Sequence, residues 1–231
     1  MALCVIPARG GSKRIPNKNA RPFHGKPMIC WSIEAALKSE CFEQIIVSTD
    51  SDEIASIASS AGASVPFRRP AELSDDYAPT IAVVNHAVEM VVQGVETHSE
   101  MPVCCLYATA PFVVSADIQA GLEKLSGHDF VIPVTTYAHP IQRAVKVSDS
   151  GFLEMFDAEA YAVRSQDLEE AWHDCGQFYW GTVKAWARGE SPYSARSAAL
   201  PIPRWRVQDI DTEEDWLRAE RLFSALTATS Q

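Results

Sequence analysis

The chain has 231 residues, 47% of them hydrophobic and 22% charged, with a formal net charge of −10. That length can bury a core without help from disulfides or metals, and the negative balance excludes extended nucleic acid and anionic membranes, which reward basic surfaces. Apolar runs end far short of a bilayer span, and Met1 to Ile6 reads as a first strand rather than a secretory signal, so the expected compartment is the cytoplasm.

In chain order, Cys4-Val5-Ile6 forms a strand that leads into a loop rich in Pro, Gly and Ser. Pro27 then opens a helix with Ile29, Ile33, Ala36 and Leu37 on one face. Ile45 to Val47 reads as a buried strand, and Asp50 or Ser51 caps a helix carrying Ile54, Ile57, Ala58 and Ala61. Beyond a loop holding Arg68, Arg69 and Pro70, residues Ile81, Val84, Val88 and Val91 mark a helix and Val103 to Tyr107 a strand. Ser115 caps a helix with Ile118, Leu122 and Leu125, and Phe130 to Val134 returns as a strand. Such alternation predicts an α/β fold, with a mostly parallel sheet covered on both faces and right-handed crossovers.

From about residue 137 the pattern shortens, with strand-like pieces at Ala144 to Val147 and Phe178 to Trp180. A last helix starts at Thr212 with a Thr-x-x-Asp cap and presents Trp216, Ala219, Phe223 and Leu226. With no repeat or long linker, residues 1–231 are expected to form one domain, and the stretch of about 137–181 an excursion within it. The six cysteines show no C-x-x-C pair and read as reduced core residues. His24, His86, His98 and His139 share no ligand spacing, Trp31 and Trp216 fall in helical patterns, and Cys175 has no histidine base in a recognised pairing.

Two stretches carry chemistry. Arg9, Lys13, Arg14, Lys18, Arg21 and Lys26 place six of the twenty basic residues in one segment without an acidic residue, which points to a small polyanionic ligand. Their loop follows the first strand, where ligands of open α/β sheets bind, and Gly10-Gly11 lets backbone N–H groups turn toward phosphate. It is neither a G-x-x-x-x-G-K-[ST] loop nor G-x-G-x-x-G. Later, Asp209 and Asp211 stand two apart in an extended segment, so their carboxylates point the same way, suiting a magnesium ion that also holds phosphate oxygens. Acidic residues also favour a helix N-terminus for its own sake; the basic loop tips the reading toward a metal.

Taken together, I-P-A-R-G-G-S-K-R-I-P-N-K-N, Ser48-Thr49-Asp50, Arg69-Pro70 with Leu73, Ala108-Thr109-Ala110-Pro111, Arg164-Ser165-Gln166-Asp167 and D-I-D-T resemble the CMP-sugar synthetases that activate nonulosonic acids. Residues 164–181 look closest to the pseudaminic acid cytidylyltransferases. The resemblance implies a Rossmann-like three-layer nucleotidyltransferase fold that transfers CMP from CTP to an acidic nine-carbon sugar, with Mg2+ as cofactor. It implies CTP binding by Ala8, Arg9, Gly10, Gly11, Ser12, Lys13, Lys18 and Asn19, with Arg69 and Ser74 near the cytosine and ribose. Arg9, Lys18 and Asp211 would be catalytic, and Asp209 and Asp211 would hold the metal. Arg164, Gln166, Asp167 and Tyr179 would face the sugar, as would Arg143 and Gln177; strand alternation sends Gln177 and Tyr179 the same way. A homodimer is also implied, because related enzymes exchange such an excursion between subunits. CMP-sialic and CMP-legionaminic acid synthetases, an Asp-x-Asp glycosyltransferase and a nucleotide sensor are the alternative readings.

Overall fold

The computed structural model describes residues 2–92, 98–189, 191–193 and 196–228. Its core is a seven-stranded sheet of β1 (Leu3–Pro7), β4 (Gln44–Ser48), β5 (Pro102–Leu106), β6 (Phe130–Thr136), β9 (Trp172–Asp174), β10 (Phe178–Thr182) and β11 (Ser197–Pro201). The spatial order is β11-β6-β10-β5-β1-β4, with β9 on the edge of β6. Five of the seven strands run one way, and β10 lies antiparallel between β5 and β6. The expected α/β sheet is therefore present, and mostly parallel.

β1 is apolar throughout because helices cover both of its faces. Cys4 and Ile6 join Ile29, Ile33 and Ala36 of α1 (Met28–Ser39), Ile54 and Ala58 of α2 (Asp52–Ser60), and Ile118 of α4 (Ser115–Lys124). Leu3 and Val5 point the other way, toward Val84 and Val88 of α3 (Thr80–Val91) and Trp186 of α5 (Val183–Ala187). The helix signals hold with small shifts: Pro27 and Ser51 sit at the N-caps of α1 and α2, and Val114 rather than Ser115 caps α4. Leu37 is not on the buried face of α1; it is 44% exposed.

The excursion is shorter than its sequence pattern suggests. Phe178–Thr182 is not part of it, since β10 is an inner strand of the main sheet, and β9 also pairs there. Only the stretch after β6 leaves the sheet, carrying a hairpin of β7 (Val145–Val147) and β8 (Leu153–Met155). Sequence periodicity misses this because two short strands separated by Gly176 read alike whether they pair at the centre or beyond the edge. β10 alternates as a doubly covered strand does: Phe178 and Trp180 enter one core cluster and Tyr179 the other.

A third cluster lies at one end of the sheet. The last helix, α6 (Glu213–Ala228), begins with Thr212 and Asp215 bonded reciprocally as a capping box. It buries Trp216 and Ala219 against Phe23, Met28, Ile15 and Ile210.

Gly181 packs where no side chain fits. A Cβ there would stand 2.6 Å from the Phe130 ring and 2.7 Å from the Trp186 indole nitrogen. Gly181→Ala is expected to cost about 1–3 kcal/mol through overpacking, read as a lower urea midpoint at unchanged m-value; an unshifted midpoint would contradict the packing described.

Candidate active site

The carboxyl end of β1 opens into the basic loop, and two contacts set its course. Ala8 donates its N–H to the Ser48 carbonyl at 2.9 Å, and Gly10 donates to Asp50 Oδ1 at 2.8 Å. Asp50 therefore anchors the loop, while Ser51 caps α2. Gly10 passes close to Ser51, where a Cβ would lie 3.0 Å from that residue's Cβ, whereas Gly11 meets nothing within 4 Å. Space is thus tight at position 10 and open at position 11. Asn19, almost fully buried, donates its side-chain amide to the Arg9 carbonyl at 3.0 Å and closes the loop on itself.

Beyond this loop lies a cavity of about 480 Å3. Arg9, Ser12, Lys13, Lys18, Asn19, Arg69 and Asp211 line it, all expected from sequence. Arg14, Asp76, Tyr107 and Thr109 line it as well. Ala8, Gly10, Gly11 and Ser74 do not; the first is buried under the loop, and Ser74 bonds the Pro70 carbonyl at 2.9 Å. Arg14 had a signal in the cation run, but Asp76 lies in a loop far along the chain and carried none.

The cations are paired with two carboxylates. Asp76 bridges Arg9 and Lys13, each at 2.5 Å, which holds its carboxyl below the usual range. Asp211 meets Arg14 at 2.9 Å and Lys18 at 3.5 Å. Lys18 also donates to the Ile210 carbonyl at 2.5 Å, fastening the basic loop to the acidic segment. Arg69 is buried, donates to the Ser48 and Leu73 carbonyls, and is pulled down to about 10 chiefly by that burial.

Asp209 and Asp211 flank Ile210, which is fully buried. Partial burial first, and then Asp211, push the Asp209 carboxyl above its ordinary value, although the residue keeps an exposed surface. Among the described residues no group of three or more His, Cys, Asp or Glu side chains is arranged to hold a metal unaided. Magnesium seldom needs one: it takes one or two carboxylates and completes its shell with phosphate oxygens and water. Two carboxylates set two residues apart beside a phosphate-sized cationic cavity, one of them lining it, fit such an ion.

The expected sugar residues are not brought to this cavity within one chain. Arg143 donates to the Val163 carbonyl, and Arg164 forms a two-pronged pair with Asp167 at 2.7 and 3.2 Å; both are exposed on the excursion, as is Gln166. Gln177 is 3% exposed and donates its amide to the Arg206 carbonyl at 2.9 Å, leaving Oε1 buried without a partner. Tyr179 donates its hydroxyl to Asp174, and its ring meets Tyr107 edge-on at 5.6 Å. Burial drives both tyrosine hydroxyls to higher pKa, so they remain protonated donors. Burial raises the Cys175 thiol to about 12, which removes it as a nucleophile.

A family model described as Cytidylyltransferase matches residues 3–181, from β1 through most of β10. The chain belongs to the cytidylyltransferase family. It is 44% identical over 96% of its length to the pseudaminic acid cytidylyltransferase of Campylobacter jejuni subsp. jejuni serotype O:2, covering 95% of that protein. It is 34% identical over 96% of its length to the CMP-N,N'-diacetyllegionaminic acid synthase of Legionella pneumophila subsp. pneumophila, covering 95%. Among solved structures, a CMP:2-keto-3-deoxy-manno-octonic acid synthetase complexed with CTP superposes with a TM-score of 0.70 over 97% of this chain and 98% of that one. At 16% identity that likeness shows a shared fold. In the cytidylyltransferase described here, membership accounts for the loop and acidic segment meeting beyond the carboxyl ends of parallel strands, and removes the glycosyltransferase and sensor readings. No helix among the described residues is long and apolar enough to cross a membrane.

The raised Asp209 carboxyl carries a stability cost with a definite sign. As pH rises, the unfolded chain releases this proton first, so stability falls from the ordinary carboxylate range up through the higher folded value and stays lower at neutral pH. Asp209→Asn is therefore expected to raise the thermal midpoint at neutral pH without nucleotide or metal. The gain should vanish below the carboxylate range; a midpoint at or below wild type at neutral pH would contradict this.

Proposed function

We propose that this cytidylyltransferase transfers CMP from CTP to the anomeric hydroxyl of a nonulosonic acid, with pseudaminic acid as the preferred sugar. The observation that carries the reading is the cavity itself, where four cations of one loop and Arg69 converge on a triphosphate-sized space bounded by Asp211. The 44% identity to a pseudaminic acid cytidylyltransferase supports the choice of sugar.

In this reading Arg9, Lys13, Arg14 and Lys18 exchange Asp76 and Asp211 for phosphate oxygens, and Arg69 borders the nucleoside. The sugar hydroxyl attacks the α-phosphorus in line, a new oxygen–phosphorus bond forms, and the bond to the β-phosphate bridge breaks to release pyrophosphate. Arg9 and Lys18 neutralise the charge that gathers on the leaving group. Asp211, freed from Arg14, is the chain's own acceptor for the hydroxyl proton. Asp209 and Asp211 would hold Mg2+, which when bound supplies further charge neutralisation on the phosphates.

The sugar side is completed by a second copy of the chain. Arg143, Arg164, Gln166 and Asp167 stand off the cavity, on an excursion that exposes Phe152, Phe156 and Tyr161 by 71–79%. An apolar face of that kind marks an interface. In a homodimer it delivers Arg164 to the neighbouring cavity, where its fork suits the sugar carboxylate. The cytoplasm, where CTP is made and thiols stay reduced, suits the free cysteines.

Pyrophosphate release from CTP and magnesium, measured with pseudaminic, N,N'-diacetyllegionaminic and N-acetylneuraminic acids, tests the assignment. The highest kcat/KM is expected for pseudaminic acid, and Asp211→Asn is expected to lower turnover on the order of 10²-fold or more. Equal values for the three sugars, or full activity in that variant, would refute it.

The dimer is tested by sedimentation. Wild type is expected to sediment as a dimer, and Phe152→Asp with Phe156→Asp to yield a folded monomer with little activity. A fully active monomer would remove the shared site.

A further inference from the structure

Arg206 lies outside the cavity, yet it is tied to both of the cavity's neighbouring walls. It ends a short 3-10 turn, Arg204–Arg206, three residues before Asp209. Its guanidinium grips Asp117 with two bonds, 2.5 Å to Oδ2 and 3.2 Å to Oδ1, and the two side chains are only 16% and 14% exposed. Asp117 stands in the first turn of α4, just after the segment in which Tyr107, Ala108 and Thr109 line the cavity. The Arg206 carbonyl accepts the Gln177 amide at 2.9 Å, and the Gln177 carbonyl accepts the Tyr107 N–H at 2.9 Å.

The same residues also back Asp209. Gly176, at φ +62° and held by Asp174 Oδ1 at 2.9 Å, lies under Asp209, whose Cγ is 3.5 Å from where a Cβ on that glycine would be. The turn that supports Asp209 thus runs directly into Gln177, which holds Arg206. A bidentate pair with little solvent around it fixes direction as well as distance, and an apolar contact of the same volume would not.

We propose that Arg206, gripped by Asp117 and Gln177, is a positioning residue for the acidic pair: it fixes the backbone from which Asp209 and Asp211 extend, so that the two carboxylates form one divalent-cation site. This rests on the metal reading given under Proposed function. Groups that hold a metal ligand in place typically change its affinity 10- to 100-fold; Arg206 acts through the backbone it fixes, and a residue serving only the fold would not act on metal affinity selectively.

The test is Mn2+ binding, followed by electron paramagnetic resonance with CTP present and sugar omitted, alongside steady-state magnesium dependence. Arg206→Met and Asp117→Asn are expected to weaken Mn2+ binding about tenfold or more and to raise the magnesium needed for half-maximal rate, with kcat at saturating metal within a few-fold of wild type. Arg206→Lys, which keeps the charge and loses the fork, should recover part of the affinity. Asp129→Asn is the control: it breaks ion pairs to Arg188 and Arg196 at the amino-terminal end of β6, remote from the site. It should lower the thermal midpoint and leave Mn2+ affinity unchanged. Unaltered affinity in Arg206→Met and Asp117→Asn, or an equal loss in Asp129→Asn, would overturn the positioning role. If Asp209→Asn and Asp211→Asn bind Mn2+ normally too, the metal reading itself has failed and takes this inference with it. If only those two lose it, the metal reading stands and the inference alone falls.

Discussion

The site depends on the burial of Ile15 and Ile210 in one cluster. Ile15 belongs to the basic loop and Ile210 separates the two aspartates, and neither exposes any surface. Each is worth about 1.5–3 kcal/mol when fully buried, and together with Trp216 they clamp a cation-rich segment against an anion-rich one. Without that clamp, Lys18 would have no reason to reach the Ile210 carbonyl. The charges do not assemble the cavity; the apolar plugs do, and the charges then find their partners.

Charge balance in the ligand-free site follows from the same geometry. Four cations line the cavity, and Asp76 and Asp211 pair with them. The pairs are partly solvent-exposed, and exposed pairs contribute little to stability. Asp209 differs, because partial burial and the nearby Asp211 disfavour its ionised form.

β10 gives the fold its second organising feature. By entering antiparallel between β5 and β6, it sets Tyr179 against Tyr107 at the cavity wall and brings Gln177 under the acidic segment. The stretch between β6 and β9 is thereby free to leave the sheet without interrupting it. Its hairpin adds no residue to the three core clusters, and Phe152 and Phe156 beside it are exposed.

The amino-acid sequence by itself determined the alternation of strands and helices, the cationic, glycine-bearing character of residues 9 to 19, and the i, i+2 spacing of Asp209 and Asp211. These are local matters: apolar period, cap residues, charge density and i, i+2 spacing are all written within a few residues of one another. Only the tertiary structure decided that Phe178–Thr182 is an inner strand, that Asp76 answers Arg9 and Lys13, and that Arg206 joins Asp117 to Gln177. Those partners lie 29 to 89 residues apart wherever a bond spans the segment, and no local period records which of many aspartates a given arginine will meet. Gln177 shows the limit: alternation gave its direction along the strand, but its donor had already been claimed by a backbone carbonyl that only folding brings near.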